Sequence, residues 1–267
     1  MISRSLDFYH AAIKNAFPDA ACIRRPDVPG MIVPIFFADV LKKTIVCRFS
    51  LPEIIFKNKI ASDLLCDYGI PVPQTRVHAY VGTWFESYEY CTDKTLYEHI
   101  KLGLSDDKVF KAYIGAFKIQ NKISKISANE FCPEKYREHI DMLRATTKIR
   151  GGLSKLYNDI LFNASACSPL RLLHNDIHSK NILYSPETDG VRLIDLDAVS
   201  LGNENFMMLT TLYRYPLKNG LDLVSAYEDI TGRNMSKHRL VLMRQTMSIL
   251  HNVYHMFDGR QKQSRQK

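Results

Sequence analysis

The sequence predicts an α+β protein in two lobes, a small β-rich lobe over residues 1–91 and a larger, mostly helical lobe over 92–259. Three observations lead there. The first third contains short runs of β-branched and aromatic residues separated by turn residues. From Thr95 onward the apolar residues recur at helical spacing. One short β-rich insert, residues 170–200, interrupts the helices. The whole chain has 267 residues, 46% apolar and 24% charged. That composition excludes a disordered, collagenous or coiled-coil chain and leaves enough length to bury a core.

The elements follow in order. Leu6, Tyr9, Ile13 and Phe17 share one helical face, and Pro18 closes the helix. ACIRR, MIVPIFFADV and TIVCRFS read as strands, the last two joined by the turn LKK. EIIFKNKIASDLLCDY is the one long helix of this lobe, stopped by Gly69 and the prolines Pro71 and Pro73. TRVHAYV and WFESYEYC form two further strands around a Gly82 turn. In the second lobe TLYEHIKLG and SDDKVFKAYIGAFKIQNKIS are helical, as is the stretch 135–166 with a break at Gly151 and Gly152. The strands LRLLH, NILYS and VRLID follow, the last two joined at PETDG. Helices at 221–231 and 236–257 end the chain, the second with a Met and aromatic face that reads as core.

The net charge is +8, from 36 basic and 28 acidic residues. Taken whole, such an excess suggests a polyanion. Taken by segment, residues 1–94 carry +1, 95–259 carry +3, and the short tail 260–267 carries +4 with no acid. Half of the excess is thus a basic tail, which could touch a membrane or a partner. No platform of basic and aromatic residues appears, so nucleic acid is not expected as a partner. The six cysteines contain no C-x-x-C pair, and several sit in apolar runs, as reduced cysteines do. No signal-like segment and no window of membrane-spanning length is present. A cytoplasmic protein is the expectation.

The chemistry concentrates between His174 and Asp197, in HNDIHSKN and IDLD. The first reads H-x-D-x-x-x-x-N on a loop after a strand. The second presents an aspartate at the end of a hairpin. A loop aspartate, Asp176, can take a proton from an incoming hydroxyl. Asn181 and Asp195 can offer hard oxygens to one Mg²⁺. A positioned nucleophile and a metal on nucleotide phosphates are the parts of phosphoryl transfer. Asp197 is either a further metal-side acid or a turn cap. His174 reads as a brace for the loop. His251 and His255 have i,i+4 spacing but no visible third ligand, so they read as helix-face residues.

On these motifs the sequence resembles the aminoglycoside phosphotransferase and choline kinase superfamily, small-molecule kinases with the protein-kinase fold. HNDIHSKNIL is similar to its catalytic loop, usually H-G-D-x-H-x-x-N, and IDLD to its metal-binding I-D-F-D. TIVCRFS resembles the third strand, LLCDYGIPVPQTRVH the helix end after it, and ESYEYCTDKTLYEHI the hinge. The resemblance implies a nucleotide-binding sheet in the first lobe, with a catalytic loop and acceptor site in the second. It implies ATP and Mg²⁺ as cofactors, and a small-molecule hydroxyl as acceptor: sugar, amino alcohol or aminoglycoside-like. Asp176 becomes the base, with His178 near the phosphates. Asn181, Asp195 and Asp197 fall on the metal side. Arg48 stands in for the phosphate-binding lysine. Glu89 and Cys91 offer hinge backbone to adenine, and Leu183 and Ile194 lie beneath its ring.

Three departures accompany the resemblance. The helix position that should carry a glutamate holds Asn58, so the ion pair that fixes the phosphate-binding side chain is expected to be absent or rearranged. The loop PDVPGM is no glycine-rich cradle. The segment after IDLD keeps Gly202 but lacks the usual aspartate. Asn58 motivates the alternative of a nucleotide-binding pseudokinase or interaction module. A protein kinase is the weaker alternative, because His178 stands where such enzymes carry lysine. For a cationic acceptor the candidate groups are the acids Glu204, Asp222, Glu228 and Asp229 and the rings of Tyr213, Tyr215 and Tyr227.

Overall fold

The computed structural model describes residues 4–26, 33–127, 130–131, 171–217 and 220–235. They fall into two compact units. One holds the residues up to Lys94 together with Arg192–Asp197, and the other holds the remainder.

The first unit is built on a five-stranded antiparallel sheet. Its strands are β1 (Ala20–Arg24), β2 (Ile35–Val40), β3 (Lys43–Phe49), β4 (Arg76–Tyr80) and β5 (Thr83–Glu89), in the order β1-β2-β3-β5-β4. Helix α1 (Leu6–Ala16) starts at Ser5, whose hydroxyl accepts from the Phe8 amide at 3.3 Å. Its face of Tyr9, Ala12 and Ile13 packs with Phe36, Phe49 and Phe85 from the sheet. The rings interlock: Tyr9 meets Phe49 edge-on at 4.7 Å, and Phe49 stacks on Phe85 at 4.7 Å.

Helix α2 (Pro52–Asp67) packs against β4 and β5. Its buried stripe is Ile55, Asn58, Ala61, Ser62 and Leu65, a helical face with one amide in it. The helix ends in a Schellman motif. The Gly69 amide donates to the Cys66 carbonyl, the Ile70 amide donates to the Leu65 carbonyl, and Gly69 holds φ +65°. Leu65 and Ile70 are both buried beside that turn, so the stop also has an apolar clasp. Opposite it, Val81 (φ 42°) and Gly82 (φ 69°) form the β4–β5 hairpin turn, with both central residues left-handed.

The second unit opens with α3 (Leu96–Lys101), held by a capping box in which Thr95 accepts from the Glu98 amide and Glu98 accepts from the Thr95 amide. Helix α4 (Asp106–Ile123) is its spine, packing on α3 and on the strands β6 (Arg171–Leu173) and β7 (Ile182–Ser185). β7 runs by a tight turn into β8 (Gly190–Leu193), along which the chain leaves this unit. β6 pairs antiparallel with β9 (Ser200–Gly202). Helices α5 (Glu204–Tyr213) and α6 (Gly220–Thr231) complete the described part. Phe117 on α4 meets Tyr227 on α6 edge-on at 5.0 Å.

Helix α5 was not expected from the sequence. Met207, Met208, Leu209 and Leu212 are all buried, so the segment has no polar face to mark a helical period. The helices expected at 135–166 and 236–257, the pair His251 and His255, the glycine of PDVPGM and the basic tail lie outside the described residues.

Candidate active site

In the first unit, chemistry gathers around Arg48. β3 and β5 run antiparallel with Arg48 opposite Glu86, so the pleat sends both side chains to the same face. The Arg48 guanidinium reaches Glu86 Oε1 at 3.1 Å. It also grips the carboxylate of Asp197 with both terminal nitrogens, one of them at 2.6 Å from Oδ1. Asp195 Oδ1 lies 3.8 Å away. Asn58, on the inner face of α2, donates to both oxygens of Glu86 at 3.1 Å and to Asp197 Oδ1 at 2.5 Å. Lys57, one residue earlier, donates to the Asp197 backbone carbonyl. The expected helix glutamate is therefore replaced by a rearranged pair: Glu86 supplies the carboxylate from the strand, and Asn58 ties that carboxylate to Asp197.

Burial sorts these groups. Glu86 is 2% exposed, and desolvation pushes its carboxyl up to about 7 despite Arg48 and Asn58. Burial acts upward on Asp197 too, but Arg48, Asn58 and Lys57 outweigh it and hold that carboxyl below its usual range. Burial also lowers the Lys57 ammonium. Asp195 differs from both acids. Its side chain is 46% exposed, and its backbone sits at φ 63°, a left-handed position that aspartate tolerates better than most residues. A small pocket beside it is lined by Arg48, Asn58, Thr75, Glu86, Tyr88 and Ile194.

In the second unit the loop from His174 to Asn181 forms a tight clasp. The Asn181 amide group donates to the Asp176 backbone carbonyl and to Asp176 Oδ2, each at 3.0 Å. His178 Nε2 lies 3.3 Å from the same Oδ2. Arg214, at the end of α5, donates to the other oxygen, Oδ1. Burial raises the Asp176 carboxyl, but His178 and Arg214 more than compensate, leaving it below its usual range and ionised at neutral pH. The loop hangs from α4: buried Gln120 accepts from the His174 amide at 2.8 Å. His174 itself is fully buried.

Asn175 stands where the resembling motif has glycine, and it has a task. Its amide donates to Ser200 Oγ at 2.8 Å and to the carbonyls of Ala198 and Ser200 at 3.2 Å. A Cβ on Gly202 would fall 2.4 Å from Asn175 Oδ1, so this pairing requires glycine there.

The remaining sequence candidates lie as follows. Glu89 ends β5 in an exposed ion pair with Lys43 at 2.7 Å. Cys91 follows it, with its thiol 3.3 Å from Asp93 Oδ2. Leu183 is buried on β7 and bridged to Thr95. Ile194 lines the pocket named above. Of the acceptor-side candidates, Glu204 is 6% exposed and committed to Tyr227, Arg233 and Arg171. Tyr215 and Tyr227 are core residues, at 5% and 0% exposure.

Sequence reasoning missed Glu86, Lys57, Gln120 and Arg214. Only Glu86 had a usable signal: setting TIVCRF antiparallel to FESYE places it across from Arg48.

Asn181 in the second unit and Asp195 in the first each carry a hard oxygen, the donor type that Mg²⁺ takes. Among the described residues no group of three or more His, Cys, Asp or Glu converges on a metal position.

No family model matches the chain, and no curated protein matches it. Solved structures do. The GDP and kanamycin complex of APH(2")-IIia is similar with a TM-score of 0.71 at 14% identity, covering 97% of this chain and 93% of that one. Aminoglycoside phosphotransferase APH(3'')-Id from Streptomyces rimosus gives 0.68 at 11% identity, over 91% and 98% of the two chains. Macrolide 2'-phosphotransferase MphH from Brachybacterium faecium gives 0.59 at 15% identity, over 94% and 93%. At such identities the likeness shows the fold. The α+β, protein-kinase-like fold expected from the sequence is the fold this chain has, and the resemblance to these phosphotransferases holds at that level.

Proposed function

We propose that this chain is a nucleotide-dependent phosphotransferase that phosphorylates a hydroxyl of a small molecule. The observation that carries the reading is the state of Asp176: ionised, partly open to solvent, and clasped by Asn181 in a loop braced from α4. A carboxylate so held can orient an incoming hydroxyl and accept its proton as the phosphoryl group arrives. Arg48, with Glu86 and Asp197 fixing its direction, serves the nucleotide phosphates. Asp195 and Asn181 would hold Mg²⁺, which would supply positive charge to the nucleotide phosphates. Asp197 belongs to the clasp on Arg48, since both its oxygens are engaged there. Glu89 and Cys91 serve the adenine edge, and Leu183 and Ile194 its face.

Asn58 was the motive for a binding-only pseudokinase. The carboxylate it lacks is provided by Glu86, so that motive falls away. ATP is the expected donor. Three of the similar structures hold GDP, so GTP belongs in the same test. The expected outcome is release of nucleoside diphosphate from ATP or GTP that needs Mg²⁺ and stops with EDTA. Turnover that ignores EDTA would remove the assigned roles of Asn181 and Asp195.

A further inference from the structure

We infer that the acceptor carries an anionic group beside its reactive hydroxyl and that Arg214 receives that group. The inference rests on the phosphotransferase reading and names the class of substrate. Arg214 places a guanidinium on Oδ1 of the proposed base, Asp176. Its backbone is held in the last turn of α5 by the carbonyls of Thr210 and Thr211, at 3.3 and 3.2 Å. Its side chain is 48% exposed, so the head group has a fixed root and reaches solvent. A polycationic acceptor approaching Asp176 would meet that positive charge, with the His178 ring on the other oxygen. An anionic acceptor would meet a planar fork that can bind a carboxylate or a phosphate through two hydrogen bonds.

Among the described residues, four of the groups the sequence offers to a cation, Glu204, Glu228, Tyr215 and Tyr227, are committed elsewhere. Glu204 is buried among Tyr227, Arg233 and Arg171. Glu228 accepts from the Met235 amide at 2.7 Å and closes the end of α6. Tyr215 and Tyr227 pack edge-on against Tyr113 and Phe117, so they cannot wall an ammonium site. Asp222 and Asp229 stay exposed on α6, so the guanidinium beside the base carries the inference.

The test compares four probes that share a sugar scaffold: gluconate, glucose 6-phosphate, glucose and kanamycin. Their binding to the full chain with Mg²⁺ and a non-hydrolysable ATP analogue is measured by calorimetry, in wild type, Arg214→Gln and Arg214→Lys. One of the two anionic probes should bind at least about tenfold more tightly than glucose. Arg214→Gln should weaken it roughly 10–100-fold, and Arg214→Lys should recover part of the loss. Gluconate against glucose 6-phosphate decides between a carboxylate and a phosphate. Equal or tighter binding of glucose or kanamycin would overturn the inference, as would an Arg214→Gln protein that binds the anionic probes like wild type. Efficient phosphorylation of kanamycin would overturn it too, while keeping the phosphotransferase reading. Arg214-dependent binding of an anionic probe without any phosphoryl transfer would support the anion site and count against that reading.

Discussion

Glu86 and Asp197 face one guanidinium, yet their carboxyls move in opposite directions. Glu86 lies deeper and has fewer cations about it, so desolvation wins and its carboxyl rises to about 7 from 4.5. Asp197 has Arg48, Lys57 and Asn58 together, so attraction wins. The consequence for stability follows from linkage. Between about 4.5 and about 7 the folded protein holds a proton on Glu86 that the unfolded chain releases. Stability from this group is complete below the lower value and is lost as pH rises to the upper one, by an amount on the order of 3 kcal/mol. Asp197 has the reverse sign: its contribution is present at neutral pH and disappears in acid. Chemical denaturation across pH should therefore show wild type losing stability relative to Glu86→Gln over that window. Parallel profiles for the two proteins would mean Glu86 is ionised throughout.

Elements show what a sequence conveys and what it hides. Strands β1 to β5 were legible because alternation and turn residues mark them locally, and α2 was legible because Gly69 and two prolines stop it. The Arg48–Glu86 pair was hidden because it depends on register between strands some forty residues apart, which no local pattern encodes. Helix α5 was hidden because most of its residues are buried and its half-buried positions, Asn205, Thr210 and Tyr213, carry no charge to mark a polar face. The β4–β5 turn carries a mismatch of its own. Val81 is β-branched, 70% exposed and at φ 42°, a conformation that asparagine accepts far more readily. Val81→Asn should stabilise the protein by about 0.5–1 kcal/mol, read as a higher denaturation midpoint with an unchanged slope. An unchanged or lower midpoint would show that Val81 makes up for its backbone strain through contacts.

At the scale of the molecule, the motif residues and the resemblance they carry motivated the proposed reaction class. HNDIHSKN placed Asp176 and Asn181 on one loop, and the structure closes them into a single clasp. The supporting groups were not legible, because Gln120, Arg214 and Asn175 act through contacts made only after folding. The acceptor was hidden for a related reason: of the groups that composition offered to a cation, Glu204, Tyr215 and Tyr227 turn out to be interior, while Asp222 and Asp229 are exposed. The account's central claim is that Asp176 is the base of a Mg²⁺-dependent phosphoryl transfer. It is tested most directly by following phosphate-ester formation from ATP and a panel of hydroxylated acceptors by phosphorus NMR, in wild type and in Asp176→Asn. The variant keeps size and polarity but cannot take the proton. Wild type should form an ester with at least one acceptor, and Asp176→Asn should form it about 10²–10⁴-fold more slowly. An Asp176→Asn protein that forms the ester at the wild-type rate would contradict the claim.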